Sequence, residues 1–192
     1  MKLEIIVVAN KERKVLILPY LEGKSHKVLF AKDYSLPFDF KPNPNMAGCV
    51  LNHQGVYRCF RGHQDALSMS DADNILILED DAVPINALWF EKILDAISLL
   101  DSFEVISFHG RDYQEEMFQE VSVNSEYIKP LSSPLWIVAA LAYLVKRETV
   151  KKLIEYRYNG KPWDLVLYQH HSFCVLRESI FNHDRSEGSL ID

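Results

Sequence analysis

The sequence predicts a single α/β domain over residues 1–192, with a mostly parallel, mixed central sheet flanked by helices. Three observations predict this fold. Short runs rich in Ile, Val and Leu recur along the chain, and amphipathic segments long enough for helices separate them. Several of these runs lack an alternating polar face, as is typical of strands buried on both sides. The sequence shows no internal repeat, and 192 residues can bury a sizeable core.

The first strand is predicted at Leu3–Ala9, where only Glu4 interrupts an apolar run. Val15–Leu18 and Lys27–Phe30 are predicted as two further short strands. Proline and asparagine residues are frequent between positions 37 and 45. They predict an irregular loop, because proline restricts its own backbone and that of the residue before it.

A helix is predicted over Met46–Leu67, where apolar residues recur at spacings of three, four and seven. A strand follows at Ile75–Leu78 and ends abruptly in three acidic residues. Pro84 and Asn86 then open an amphipathic helix, with Asn86 as its N-cap. The remaining predicted elements are a strand at Val105–Phe108, a surface loop over 111–125, a strand at Trp136–Val145, a helix at Thr149–Tyr158 with Gly160 as its C-cap, a strand at Ser172–Leu176 and a polar tail over 182–192.

Composition limits the classes of function. A formal net charge of -6 argues against a surface built to bind polyanions, since proteins that bind nucleic acids usually carry a basic excess. The three cysteines, Cys49, Cys59 and Cys174, form no zinc-finger spacing and predict free thiols in a reducing compartment. The apolar stretch 135–145 is shorter than a membrane span requires, and the first residues do not resemble a signal peptide. We therefore expect a cytoplasmic protein without stable membrane insertion.

The acidic triplet Glu79-Asp80-Asp81 follows a predicted buried strand. Adjacent carboxylates repel one another unless a cation or hydrogen-bond donors compensate their charge. Carboxylate oxygens suit Mg²⁺ or Mn²⁺, which commonly bind substrate phosphates as well. The triplet could instead be a solvated turn at the N-terminus of the next helix, where negative charge is favourable. Spacing alone leaves both interpretations open.

Asn10, Asp81 and His109 each follow a predicted strand. Ligands of open α/β sheets bind beyond the carboxyl ends of the strands. These three residues are therefore expected to line one rim of the sheet.

Several stretches of the chain together resemble glycosyltransferase family 25. Gly48–His53, followed by Val56-Tyr57 and then by Ile75–Asp81, is similar to the family's glycine, Ser-His pair, helix and strand ending in Glu-Asp-Asp. Asn52 stands where the family commonly has serine. Later similarities are Ala142–Val145, Val150–Leu153, the element Pro162-Trp163-Asp164 and Ser189–Ile191, while Asn10–Arg13 is similar to the family's Asn-Leu-x-x-Arg start only loosely.

The resemblance implies a nucleotide-sugar-transferase fold of the GT-A type, a donor that is commonly a UDP-sugar, and Mn²⁺ or Mg²⁺ as cofactor. Asp81 is then expected to coordinate the metal, and Glu79 or Asp80 to contact the ribose or a metal-bound water. Glu79 is a further candidate metal ligand, and His183 could complete the shell. The other candidate donor and substrate residues are Asn10, Arg13, Asn52, His53, His109 and Trp163.

Asp164 is the leading candidate for a general base, and Asp112 is the reserve. An inverting transfer needs a carboxylate to take the proton of the acceptor hydroxyl. Structural interpretations remain open: Asp164 could be an N-cap, and His53 a buried hydrogen-bonded residue. Trp163 could stack on a sugar face.

The predicted function is a metal-dependent transfer of a sugar from a nucleotide-sugar donor to an acceptor hydroxyl, with inversion. The acceptor could be a glycan of the kind made in lipopolysaccharide biosynthesis, a protein hydroxyl or a modified base in nucleic acid. Two other classes remain open: a non-catalytic domain that binds nucleotide sugars or carbohydrates, and a metal-dependent phosphohydrolase or nucleotidyltransferase.

Overall fold

A computed structural model describes residues 2–41, 52–109, 118–130, 140–170 and 172–184. Ten strands lie in these ranges: β1 (Leu3–Ala9), β2 (His26–Phe30), β3 (Asn74–Glu79), β4 (Ala82–Pro84), β5 (Val105–Ser107), β6 (Phe118–Val121), β7 (Asn124–Pro130), β8 (Ala142–Lys146), β9 (Phe173–Leu176) and β10 (Phe181–His183). The α-helices of the same ranges are α1 (His53–Ser68), α2 (Trp89–Ala96), α3 (Arg147–Glu155) and α4 (Trp163–His170). Short 3-10 helices lie at Leu18–Leu21 and Ile97–Asp101.

Eight strands form one mixed sheet in the order β2-β1-β3-β8-β5-β9-β7-β6. Strands β8 and β7 run opposite to the other six, since each pairs antiparallel with both of its neighbours. β1 pairs parallel with β2 and β3, and β5 pairs parallel with β9. The predicted mostly parallel, mixed sheet flanked by helices is confirmed.

The continuous apolar runs arise because the sheet is covered on both faces. In β1, Ile5 and Val7 belong to one core cluster, which also contains Ile93 of α2. Their neighbours Ile6 and Val8 belong to a second cluster, on the face covered by α1, α3 and α4. A strand with one polar face could not fill both clusters, and this explains why β1 and β3 lack alternation.

Helix α1 is capped at its N-terminus and packs closely on the sheet. Asn52 is its N-cap, and the Asn52 side chain accepts a hydrogen bond from the Gly55 backbone N–H at 2.9 Å. Gly62 packs so closely on the sheet that an added Cβ would lie 3.4 Å from Ala31 Cβ and from Val8 Cγ1. The predicted helix is confirmed from residue 53, whereas 46–51 lie outside the described residues.

The strand predicted at Val15–Leu18 is wrong. The chain turns there and enters a 3-10 helix at Leu18. Pro19 has no N–H to donate to a neighbouring strand, and it favours the first turn of a helix. Ile17 and Leu21 are fully buried, so the apolar character of this segment reflects its packing on the sheet.

The surface loop predicted over 111–125 is wrong from residue 118 onward. Strands β6 and β7 form an antiparallel hairpin at the edge of the sheet. Phe118 and Val121 are buried, while Gln119 and Glu120 between them are exposed. The polar residues that suggested a loop are thus the solvent-facing positions of an edge strand. Residues 110–117 lie outside the described part of the chain.

Three helix boundaries also differ from prediction. Helix α2 begins at Trp89 rather than near Asn86, whose side chain instead accepts a hydrogen bond from the Leu88 N–H at 2.8 Å. Helix α3 ends at Glu155, because the chain leaves the helical conformation at Tyr156. Gly160 has a positive φ of 96°, but it lies in the following loop and is not a C-cap.

The last features of the fold are the cysteines and the apolar character of the helices. Cys59 and Cys174 are free thiols, and Cys49 lies outside the described residues. Among the helices that the structure describes, none combines the length and apolar character needed to cross a membrane.

Candidate functional site

The site lies where β1 and β3 end side by side. Their parallel register pairs Val8 with Glu79, so the residues that follow each strand emerge at the same edge of the sheet. The Asn10 backbone N–H donates to Asp80 Oδ2 at 2.8 Å and joins the two strand ends. A cleft of about 340 Å³ opens at this edge. The cleft is lined by Asn10 and Asp81 of the three residues predicted from strand ends, and it occupies the usual ligand position in open α/β sheets.

The two-stranded sheet of β4 and β10 brings the end of the described chain to this cleft. Antiparallel pairing of His183 with Ala82 places the His183 ring beside Asp81, with Nδ1 3.4 Å from Asp81 Oδ2. The Asp184 backbone N–H also donates to the Asp81 carbonyl oxygen at 3.1 Å.

Asp81 lies between two cationic or potentially cationic groups. Arg13 Nη1 is 3.9 Å from Asp81 Oδ2, and the His183 ring lies on the same carboxylate oxygen. The other oxygen, Oδ1, is buried and has no hydrogen-bond partner within the described part of the chain. A buried carboxylate oxygen without a partner is costly, so this atom is suited to a ligand.

The Glu79 carboxylate contacts a buried histidine of helix α1. His63 on α1 is fully buried, and its Nε2 lies 3.1 Å from Glu79 Oε1. His63 Nδ1 lies 3.0 Å from the Tyr143 hydroxyl, which also accepts a hydrogen bond from Trp163 Nε1 at 2.9 Å. The His63 ring stacks on Trp163, with an interplanar angle of 8°. Four elements, α1, β3, β8 and α4, therefore meet at this carboxylate.

Among the side chains that the structure describes, two groups could hold a metal ion. Glu79, Asp81 and His183 each offer a ligand atom, and these atoms lie within 4.8 Å of one another. Cys59, His63 and Glu79 form a second such group. The first group fits Mn²⁺ or Mg²⁺ better, because two of its ligands are carboxylates and Asp81 contributes the unpartnered oxygen.

Asp80 and Cys59 differ from their neighbours in electrostatic environment. The pKa of the Asp80 carboxyl is raised to about 6, chiefly by burial. The hydrogen bond from the Asn10 backbone N–H lowers this pKa, whereas the charges of Asp81 and Glu79 raise it. Burial, followed by the charges of Glu79 and other nearby carboxylates, raises the pKa of the Cys59 thiol well above its ordinary value. Cys59 is therefore a neutral thiol.

Asp164 reaches the cleft from the first turn of α4. Its Oδ1 accepts a hydrogen bond from the Leu165 backbone N–H at 2.8 Å, as expected for an acidic residue near a helix N-terminus. Its side chain is half-buried and lines the same cleft as Glu79 and Asp81.

No protein-family model matches the sequence, and no curated protein matches it significantly. Solved structures do match. TarS 1-349 of S. aureus, in complex with UDP-GlcNAc, has a TM-score of 0.54 at 14% identity; the match covers 100% of this chain and 60% of that one. A197 from STIV has a TM-score of 0.52 at 12% identity, over 94% of this chain and 83% of that one.

A glycosyltransferase involved in the glycosylation of the major capsid of PBCV-1 also matches, with a TM-score of 0.50 at 13% identity. Here the match covers 96% of this chain and 94% of that chain. The fold is of the GT-A type. At these identities the likeness concerns the fold alone, and membership of glycosyltransferase family 25 stays a prediction.

Most of the residues predicted for the site lie in one cleft of this GT-A-type fold. Those that line it are Asn10, Arg13, Asn52, Glu79, Asp80, Asp81, Trp163, Asp164 and His183. Asp112 and the stretch Gly48–Leu51 lie outside the described residues.

Two predicted histidines lie away from the cleft lining. His53, at the start of α1, has its ring packed against Phe40, and its Nδ1 is 3.3 Å from the Tyr158 hydroxyl. His109 is buried, with its ring centroid 5.0 Å from that of His183 and its Nδ1 2.8 Å from the Phe181 carbonyl oxygen. That carbonyl can only accept, so His109 Nδ1 carries a proton.

Trp163 is almost completely buried, and His63 covers one face of its ring. That face is not available to a sugar, so the predicted stacking is not possible there. Trp163 still contributes to the lining of the cleft, and its indole N–H donates to the Tyr143 hydroxyl.

Other residues of the cleft were not predicted as site residues. Among them are Lys11 and Arg58, whose Nζ and Nη1 atoms lie 2.8 Å and 3.9 Å from the Asp33 carboxylate. Cys59 and His63 also line the cleft. His63 follows the buried Phe60 by three positions on the predicted helix, so its place on the buried face was a signal that could have been found.

Proposed function

We propose that this protein is a metal-dependent glycosyltransferase that moves a sugar from a nucleotide-sugar donor, most simply a UDP-sugar, to an acceptor hydroxyl. One observation carries the proposal. The buried Oδ1 of Asp81 has no partner in the described part of the chain, and Asp81 converges with Glu79 and His183 at the carboxyl edge of β3. The GT-A-type fold supports it, because one protein with this fold was solved with UDP-GlcNAc bound and another is a glycosyltransferase.

In this proposal Asp81, Glu79 and His183 hold Mn²⁺ or Mg²⁺. The ion would supply positive charge to the diphosphate of the donor and so help it to leave. Arg13, 3.9 Å from Asp81, binds the same diphosphate through its guanidinium group. Asn10 lies at the end of β1, where its backbone N–H binds the Asp80 carboxylate.

Asp164 is the proposed general base. It takes the proton of the acceptor hydroxyl as the hydroxyl oxygen forms a bond to the anomeric carbon of the donor sugar. The bond from that carbon to the diphosphate oxygen breaks, and the nucleoside diphosphate leaves with the electron pair. Attack from the face opposite the leaving group inverts the anomeric configuration. Asp164 is suited to this role because it lines the cleft from α4, an element separate from the metal ligands.

The test is binding and hydrolysis of a panel of nucleotide sugars by the purified protein, with and without Mn²⁺. We expect Mn²⁺-dependent binding of UDP by calorimetry and slow release of the nucleoside diphosphate from one donor. Asp81→Asn is expected to lose both. The matched control is Asp101→Asn, at an exposed carboxylate that pairs with Lys146 away from the cleft.

Other outcomes separate the alternatives. Metal-dependent donor binding without turnover, even with acceptors present, would support a non-catalytic binding domain. Release of pyrophosphate from a nucleoside triphosphate would support a nucleotidyltransferase. If the protein neither binds nor hydrolyses any donor and Asp81→Asn changes nothing, the proposal is wrong.

A further inference from the structure

A chain of hydrogen bonds, here called the relay, connects Trp163, Tyr143, His63 and Glu79. The donors and acceptors along it determine which atoms carry the protons. Trp163 Nε1–H can only donate, and it donates to the Tyr143 hydroxyl oxygen at 2.9 Å. The hydroxyl hydrogen of Tyr143 must then find its own acceptor. Within the described residues the other partner of this hydroxyl is His63 Nδ1, at 3.0 Å. His63 Nδ1 is therefore an acceptor and carries no proton.

A neutral imidazole with an unprotonated Nδ1 carries its hydrogen on Nε2. His63 Nε2 lies 3.1 Å from Glu79 Oε1, so this hydrogen is donated to the carboxylate. Each donor and acceptor of the relay is satisfied in this arrangement. The opposite tautomer would place a lone pair against the carboxylate and leave the buried Tyr143 hydroxyl hydrogen without an acceptor among the described residues, which is costly.

The surroundings hold this arrangement in place. His63 and Tyr143 are fully buried and Trp163 nearly so. Stacking on Trp163 fixes the plane of the His63 ring, and burial keeps the pKa of the Tyr143 hydroxyl well above its ordinary value, so that Tyr143 remains a donor. Glu79 itself is the partly exposed end of the relay, with 23% of its side chain accessible at the cleft.

We propose that His63 is a positioning residue, which donates from Nε2 to Glu79 Oε1 and so orients Glu79 as a ligand of the metal ion. The relay also links α4, which carries Asp164, to the end of β3, which carries the metal ligands. The inference rests on the proposed function, because it treats Glu79 as a ligand of that ion. Outer partners of this kind commonly change metal affinity by 10- to 100-fold.

The test uses two variants that each retain half of the imidazole. In His63→Gln an amide group takes the place of Nε2 and can still donate to Glu79, whereas in His63→Asn it takes the place of Nδ1 and reaches only Tyr143. Binding of Mn²⁺ with UDP is measured by electron paramagnetic resonance, and folding by circular dichroism. We expect His63→Gln to stay within about threefold of the wild type and His63→Asn to lose about tenfold. Equal affinities in the two folded variants would overturn the proposal.

A second measurement does not require any ligand. Nitrogen-resolved NMR of the metal-free wild type, recorded at a pH at which the His63 ring is neutral, reports which nitrogen carries the proton. We expect this proton on Nε2. A proton on Nδ1 would overturn the relay. If the wild type binds neither Mn²⁺ nor UDP, the proposed function fails, while the protonation state still decides the relay.

Discussion

His183 Nδ1 lies 3.4 Å from Asp81 Oδ2, although 102 positions of sequence separate the two residues. This distance is longer than the 2.7–3.2 Å that is usual for a hydrogen bond between nitrogen and oxygen. The second oxygen of Asp81 is buried without a partner among the described residues. The geometry suits a ligand set, because His183 converges on Asp81 while this oxygen remains available to a third group.

Replacing His183 by alanine is expected to weaken Mn²⁺ binding about tenfold, because it removes one of three ligands. The strand that carries His183 pairs through its backbone, so the fold should persist. Calorimetric titration with Mn²⁺ in the presence of UDP measures the loss. His26→Ala is the matched control, since His26 is exposed, its Nδ1 is hydrogen-bonded to the Lys24 carbonyl oxygen, and it does not line the cleft. Equal binding by the two variants would exclude His183 from the ligand set.

Arg13→Gln is expected to weaken UDP binding about tenfold, because a hydrogen bond between charged groups is lost. Binding of Mn²⁺ alone should stay the same or become tighter, since a positive charge 3.9 Å from Asp81 disappears. Separate titrations with Mn²⁺ and with UDP at saturating Mn²⁺ distinguish the two effects. Lys14→Gln removes a charge from an exposed position of the same loop and should change neither. A parallel loss of metal and nucleotide affinity would contradict this role.

Asp164→Asn is expected to lower the turnover number by about 10²- to 10⁴-fold and to leave donor affinity unchanged, because a general base acts only in the chemical step. The amide oxygen can still accept the hydrogen bond from Leu165, so α4 should keep its start. Donor hydrolysis, with water as the acceptor, provides the rate. Glu148→Gln, at an exposed position of α3, serves as the control. Unchanged turnover in Asp164→Asn would assign the base elsewhere.

Gln64→Leu tests the packing beneath the site. Gln64 is buried, and its Nε2 donates to the carbonyl oxygens of Leu153, Ile154 and Tyr156, where α3 ends. Leucine has a similar volume but leaves these carbonyls without their donor, so we expect the free energy of unfolding to fall by about 2 kcal/mol. Urea denaturation followed by circular dichroism measures the change. The same substitution at the exposed Gln119 should cost less than about 0.5 kcal/mol, and an equal loss at both positions would contradict the capping role.

The sequence was most informative where one physical rule determined the structure. A strand buried on both faces must be continuously apolar, and the runs before Asn10 and before the acidic triplet met that rule. Their polar ends could therefore be placed at one edge of the sheet without knowledge of the contacts. The family resemblance predicted that Asn52 contacts the nucleotide-sugar donor. In the structure Asn52 caps α1 and also lines the cleft.

Residues whose place depends on tertiary pairing could not be predicted in this way. His183 reaches Asp81 only through β4 and β10, which are three residues each and too short to show a periodicity. The partners of His63 come from β3, β8 and α4, and no local pattern relates these elements to a position on α1. The β6–β7 hairpin was missed because its exposed positions are polar, as loops are.

The pairing of β10 with β4 also connects the ligand set to local stability. The described strand that bears His183 is attached through three residue pairs, which a small fluctuation could open. An ion held jointly by Asp81 and His183 would bind the closed form only, so its binding free energy would be added to the stability of this short pairing. The ion would then stabilise the contact between two segments that are distant in sequence. Amide hydrogen exchange in β10 would slow as the metal concentration rises, while exchange in the central strands would not change.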